Sequence, residues 1–122
     1  MPNPKVILIV DDEPDLIEIA QTHLESAGYG IITASNGKEG LEAAKRFKPD
    51  LILLDITMPE MDGLQMLEIL RGTEGLKSMK VLMLTAKGQS SNIFEAEHLR
   101  VLDFLIKPFS CDELLEAVRK AV

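Results

Sequence analysis

The stretch Lys5-Val6-Ile7-Leu8-Ile9-Val10-Asp11-Asp12-Glu13-Pro14 decides the fold. Its first part is a compact apolar run rich in β-branched residues, which reads as a strand buried on both faces. Three carboxylates and a proline end that run at once. Proline suits the first position of a helix, where its missing N–H would have no helical partner. Leu16, Ile17, Ile19, Ala20, Leu24 and Ala27 then follow at helical spacing, and Gly28 closes the helix.

The same alternation continues along the chain. Ile31–Ala34 reads as a short strand. Asn36, with Glu39 three residues on, marks a helix start. That helix runs through Leu41, Ala44 and Phe47 and stops before Pro49. Leu51–Asp55 (LILLD) is a second fully apolar strand that ends in a carboxylate, and Met58–Gly63 is a turn. Leu64, Leu67 and Leu70 mark a helix, and a loop fills Gly72–Met79. Val81–Thr85 (VLMLT) is a third buried strand, Ser91–Arg100 a helix and Asp103–Ile106 (DFLI) a last strand. Ser110 with Glu113 repeats the capping signature ahead of a helix bearing Leu114, Leu115, Val118 and Val122. Five strand–helix units in succession predict a parallel sheet covered on both faces. Right-handed crossovers make an open, doubly wound α/β sheet the natural topology at this length, and an eight-stranded barrel would need about twice as much chain.

Composition excludes several classes. The chain has 122 residues, 46% hydrophobic and 27% charged, enough for one domain over 1–122 with its own core. The single cysteine, Cys111, rules out an internal disulfide and a Cys-based metal site, and it points to a reducing, cytoplasmic setting. Thirteen Lys+Arg against twenty Asp+Glu give a formal charge of −7, unfavourable for direct binding to nucleic acid or anionic membranes. No apolar run approaches a membrane span, and the first residues lack the layout of a signal peptide.

In open parallel sheets, ligands bind outside the carboxyl ends of the strands. The first strand is followed by Asp11, Asp12 and Glu13, the third ends in Asp55, the fourth in Thr85-Ala86 and the fifth in Lys107-Pro108. The three aspartates converge if the first and third strands are neighbours. Two carboxylates 4–5 Å apart repel by roughly 3–4 kcal/mol at an effective dielectric near 20. A hard cation moderates that repulsion, and an all-oxygen donor set selects Mg²⁺, with Mn²⁺ the alternative. Lys107 adds a mobile ammonium and Thr85 a hydroxyl. Metal, ammonium and hydroxyl around one carboxylate form a cradle for a phosphoryl group on it. Lys107 can bridge the roughly 9.6 Å between strands two positions apart.

These residues resemble the receiver domain of two-component response regulators over essentially the whole chain. The match rests on Asp11-Asp12, Asp55, Met58-Pro59, Asp62-Gly63, Thr85-Ala86 and Lys107-Pro108-Phe109. The resemblance implies a flavodoxin-like five-stranded sheet in order 2-1-3-4-5 with five helices. It implies phosphorylation of Asp55 by a sensor histidine kinase or phosphotransfer protein, with Mg²⁺ on Asp12, Asp55 and the main-chain carbonyl of Thr57, and Asp11 acting through water. Lys107 would pair with the carboxylate or the phosphoryl oxygens, Thr85 and Phe104 would move as a switch, and the Lys107–Pro108 peptide would be cis. A downstream protein would dock on the face of the fourth helix, fifth strand and fifth helix, including Ile93, Phe94, Phe104 and Glu113. Thr57 and Lys87 occupy positions that modulate dephosphorylation in the family. Two departures stand out: Leu99-Arg100-Val101-Leu102 has no glycine where receivers usually place a small residue, and the switch aromatic is Phe104 in place of the commoner Tyr.

The implied protein is a signalling phosphoacceptor that catalyses only its own phosphorylation and dephosphorylation, not an enzyme with a separate substrate. A non-phosphorylated interaction module is the alternative. An Mg²⁺-dependent phosphohydrolase of the haloacid-dehalogenase type is disfavoured, because Asp55-Ile56-Thr57 lacks the second aspartate that would serve as acid and base. Taken singly, His23 and His98 read as surface residues, Cys111 as packing and the methionines as core and loop fillers.

Overall fold

The computed structural model describes residues 4–56, 58, 61–86 and 95–122. Thr57, Lys87, Ile93 and Phe94 lie outside the described residues. The strands are β1 (Val6–Val10), β2 (Gly30–Ala34), β3 (Leu51–Asp55), β4 (Val81–Ala86) and β5 (Asp103–Lys107). They form one parallel sheet in the order β2-β1-β3-β4-β5. The helices are α1 (Pro14–Ser26), α2 (Gly37–Phe47), α3 (Gly63–Gly72), α4, described at residues 95–98, and α5 (Cys111–Ala121). β4 and β5 each run one residue past their apolar pattern, because Ala86 still pairs with Lys107 across the ladder.

The alternation of side chains along each strand divides the core in two. Leu8, Val10, Ile52, Leu54 and Met83 face α2 and α3, where Leu41, Ala44, Met66, Leu67 and Leu70 meet them. Ile7, Ile9, Leu51, Leu53, Leu82, Leu84 and Leu105 face Ala20 and Leu24 of α1 and Leu114 and Val118 of α5. Burying each large aliphatic side chain contributes about 1.5–3 kcal/mol. Both faces of the central strands are therefore covered, which is why these strands read as unbroken apolar runs.

Helix starts follow their side chains. Ser110 and Glu113 form a reciprocal capping box, as do Asp62 and Gln65 on α3. At α2, Asn36 accepts from the Glu39 N–H, but the Glu39 carboxylate reaches past Asn36 to the N–H and hydroxyl of Ser35. Those donors hold the Glu39 carboxyl below its ordinary range. Gly63 is required by close approach. A Cβ there would collide with the Asp55 carbonyl, and the Gly63 N–H donates to Ile56 O at 2.8 Å. The turn after β3 thus folds directly back over the strand end that carries Asp55.

The glycine-free turn Leu99-Arg100-Val101-Leu102 is solved by other means. Arg100 takes the left-handed conformation itself, with φ +63°. Arg71, at the end of α3, then donates to the carbonyls of Leu99 (2.8 Å) and Arg100 (3.1 Å), and also to those of Lys77 (3.1 Å) and Met79 (2.7 Å). One guanidinium fork therefore ties the end of α4 to the loop entering β4. Burial and the nearby Arg100 charge hold the Arg71 pKa below its ordinary value.

Candidate functional site

The ladder brings the chemistry-bearing residues to one edge of the sheet. Val10 pairs with Leu54, Asp55 with Leu84 and Ala86 with Lys107. Asp11 therefore leaves β1 beside the end of β3, and its N–H donates to Ala34 O at 3.1 Å. Asp11 is fully buried, Asp55 is nearly so, and Asp12 is exposed at the mouth. One carboxylate oxygen from each lies within 4.8 Å of the other two.

Lys107 crosses β4 to join them. Its Nζ lies 2.9 Å from Asp11 Oδ2, 3.3 Å from Asp55 Oδ1 and 2.7 Å from Glu13 Oε1. The Lys107–Pro108 peptide that follows is cis. Burial, with the charge of Asp11, pushes the Asp55 carboxyl up to about 7, against the opposing pull of Lys107. Burial also raises Asp11, while the hydrogen-bonding and charge of Lys107 resist it. Burial works against the Lys107 ammonium, yet the carboxylates of Glu13 and Asp11, with the charge of Asp55, overcome it and raise its pKa. Thr85 is fully buried at the end of β4, and its hydroxyl donates to Ala86 O at 3.2 Å. Phe104 is half-buried on β5 and packs against the α2–α3 side of the core.

The sequence-derived set Asp11, Asp12, Asp55 and Lys107 is brought together, and Thr85 lies at the same sheet edge. The sequence reading gave Glu13 no role, although its carboxylate makes the shortest of the three contacts to Lys107. The clue was its place directly after Asp11-Asp12. On the outward side of Lys107, a groove of about 470 Å³ runs between α1 and α5, lined by Glu13, Leu16, Ile19, Ala20, Lys107, Pro108, Phe109, Ser110, Cys111 and Leu114. Cys111 is half-buried there, while His23 and His98 are exposed. Glu113 is exposed, with its carboxylate held by the Ser110 N–H.

The donor set fits a hard divalent ion. It offers three carboxylate oxygens, no imidazole or thiolate, and one exposed member through which solvent can complete the coordination. Among the described residues, no helix is long and apolar enough to cross a membrane.

Comparison with known proteins defines the class. Residues 7–119 match the response regulator receiver domain, and the chain belongs to that family. It is 36% identical over 117 residues to the chemotaxis protein CheY of Bacillus subtilis, covering 95% of this chain and 96% of that protein. It is 40% identical over 115 residues to the alkaline phosphatase synthesis transcriptional regulatory protein PhoP of the same organism, covering 94% of this chain but 47% of that one. The chain thus spans about half the length of several curated relatives. Among solved structures, chemotaxis protein CheY4 of Vibrio cholerae superposes with a TM-score of 0.91 at 28% identity, covering 98% of this chain and 99% of that one. A putative response regulator from Chloroflexus aurantiacus gives 0.90 at 32% identity, with 97% of each chain covered.

Proposed function

We propose that this receiver domain, a single unit over residues 1–122, accepts a phosphoryl group on Asp55 from a histidine kinase or phosphotransfer protein. The reading is carried by one arrangement: a buried carboxylate at the end of the central strand, with an ammonium 3.3 Å away and two further carboxylates within 4.8 Å. An Asp55 oxygen attacks phosphorus, the O–P bond forms, and the N–P bond to the donor imidazole breaks with the electron pair leaving on nitrogen. Asp12 and Asp55, with the Thr57 carbonyl, would hold Mg²⁺ (Mn²⁺ in its place), and Asp11 would contribute through water. The ion supplies charge neutralisation for the incoming phosphoryl oxygens. Lys107 turns toward those oxygens, and Thr85 donates its hydroxyl to them. Phe104 follows Thr85, which changes the α4–β5–α5 face offered to a downstream protein.

The groove between α1 and α5 is the seat for the donor protein, because it opens beside Lys107 and offers apolar contacts. The single cysteine supports a cytoplasmic setting, and the net charge of −7 disfavours direct contact with nucleic acid or anionic membranes. The domain turns over only its own phosphoryl group. Intact mass after incubation with acetyl phosphate tests the reading: one phosphoryl group, dependent on Mg²⁺ and lost in Asp55→Asn, is expected. No adduct from acetyl phosphate or from a phosphorylated histidine protein under rapid quenching would leave a pure interaction module.

A further inference from the structure

Glu13 stands at the N-cap of α1, where a short polar side chain normally accepts a hydrogen bond from the first turn. Its side chain makes no such bond. Its main-chain N–H donates to Asp11 Oδ1 at 2.9 Å, which fixes the residue beside the acidic cluster. Its carboxylate instead accepts from Lys107 Nζ at 2.7 Å, across 94 residues of sequence. The same ammonium stands 3.3 Å from Asp55. Lys107 thus makes its shortest contact to Glu13 at the rim and its longest to Asp55, the acceptor.

We propose that Glu13 is a positioning residue that competes with Asp55 for the Lys107 ammonium in the resting domain and so sets the rate of phosphoryl acceptance. This inference rests on the phosphoacceptor reading above and deepens it. Among the described residues the Lys107 ammonium makes its side-chain hydrogen bond to Glu13, whereas its contacts to Asp11 Oδ2 and Asp55 Oδ1 are ion pairs without one, so turning fully onto a phosphoryl group at Asp55 weakens one of these three contacts. Asp11 is fully buried and loses most if abandoned, whereas the Glu13 side chain is 58% exposed and water can replace its partner. Glu13 is thus the contact that yields. An exposed ion pair of this kind is modest and salt-sensitive, so releasing Lys107 accelerates transfer by about two- to five-fold.

Two substitutions separate this role from a general effect of charge. Glu13→Gln removes the charge. Glu13→Asp keeps it but is one methylene shorter, and aspartate is a favoured N-cap that turns back onto the α1 main chain. With acetyl phosphate and Mg²⁺ at low ionic strength, both variants are expected to phosphorylate two- to five-fold faster than wild type. The advantage should shrink as salt rises, and Glu13→Asp should also show a higher Tm. Wild-type rates in Glu13→Asp would reduce Glu13 to a distant charge and overturn the proposal, as would slower transfer in Glu13→Gln. If wild type accepts no phosphoryl group at all, the phosphoacceptor reading fails separately. The Lys107 ammonium signal by ¹⁵N NMR then decides whether Glu13 holds Lys107: it should shift and exchange faster in Glu13→Gln, and an unchanged signal overturns the contact.

Discussion

Replacing Asp55 by asparagine should stabilise the metal-free domain at alkaline pH and leave it unchanged at acid pH. In the unfolded chain an aspartate ionises near 3.9, whereas in the folded domain Asp55 holds its proton up to about 7. Between those values the folded state binds a proton that the unfolded state has lost. The stability contributed by Asp55 is therefore fully present below about pH 4 and is lost as pH rises through about 7. A three-unit difference converts to about 4 kcal/mol as an upper limit, and screening by solvent at the open mouth brings this to about 2 kcal/mol. Asparagine imitates the protonated carboxyl at every pH. The gap between Asp55→Asn and wild type should thus open from near zero at pH 4 to about 2 kcal/mol at pH 8, or about 8 °C in Tm for a chain of this length. Urea unfolding followed by circular dichroism, in a chelator, is the suitable assay, because the protein has no Trp and a guanidinium salt would screen the cluster. Millimolar Mg²⁺ should close the gap by stabilising wild type alone. A gap that is independent of pH, or one that widens toward acid, would refute the claim that Asp55 is destabilised by its burial and its carboxylate neighbours.

Two further substitutions probe other parts of the molecule. Arg71→Met should cost about 2–3 kcal/mol in urea unfolding, because four main-chain carbonyls lose their donor, and Arg71→Lys should recover less than half, since an ammonium cannot reproduce the planar fork. Ile19→Gln, at a residue 55% exposed on the rim of the α1–α5 groove, should leave stability within about 0.5 kcal/mol and acetyl phosphate reactivity unchanged. It should slow transfer from a phosphorylated histidine protein about tenfold or more, and equal slowing with both donors would remove the groove from donor docking.

The sheet was legible because the central strands β1, β3 and β4, buried on both faces, announce themselves as apolar runs, and the carboxyl ends of the strands are where Asp11, Asp55 and Lys107 had to lie. The order of the strands and the cis peptide before Pro108 came from family resemblance. What local patterns could not disclose are contacts made by reach. Glu13 meets Lys107 across 94 residues and Arg71 meets Leu99 O across 28, and no periodicity or spacing encodes either. Arg100 is a related case. A glycine would have announced a left-handed turn, but here an arginine accepts the strain, of order 1 kcal/mol, and Arg71 holds the turn from outside. Glu39 also differs from its pattern, since the capping spacing pointed to a bond on Asn36 while its carboxylate lies on Ser35.

The electrostatics of the cluster argue for use over stability. Asp11, Glu13 and Asp55 crowd one ammonium, with Asp12 beside the other two aspartates, and partly buried ions of this kind are commonly less stabilising than apolar residues of the same shape. A fold whose core is dominated by apolar side chains had no packing reason to place carboxylates just after β1 and at the end of β3. The arrangement becomes favourable only when positive charge enters, as a divalent ion would bring, and it then accommodates an incoming phosphoryl group because the compensating charges are already in place. On this reading, phosphorylation exchanges the single charge of Asp55 for roughly two negative charges, and Lys107, the cation among the described residues that touches the cluster, would give up its hydrogen bond to Glu13 to meet them. That choice between Glu13 and the phosphoryl oxygens would convert a local change of charge into a movement at the end of β5, the strand that also carries Phe104.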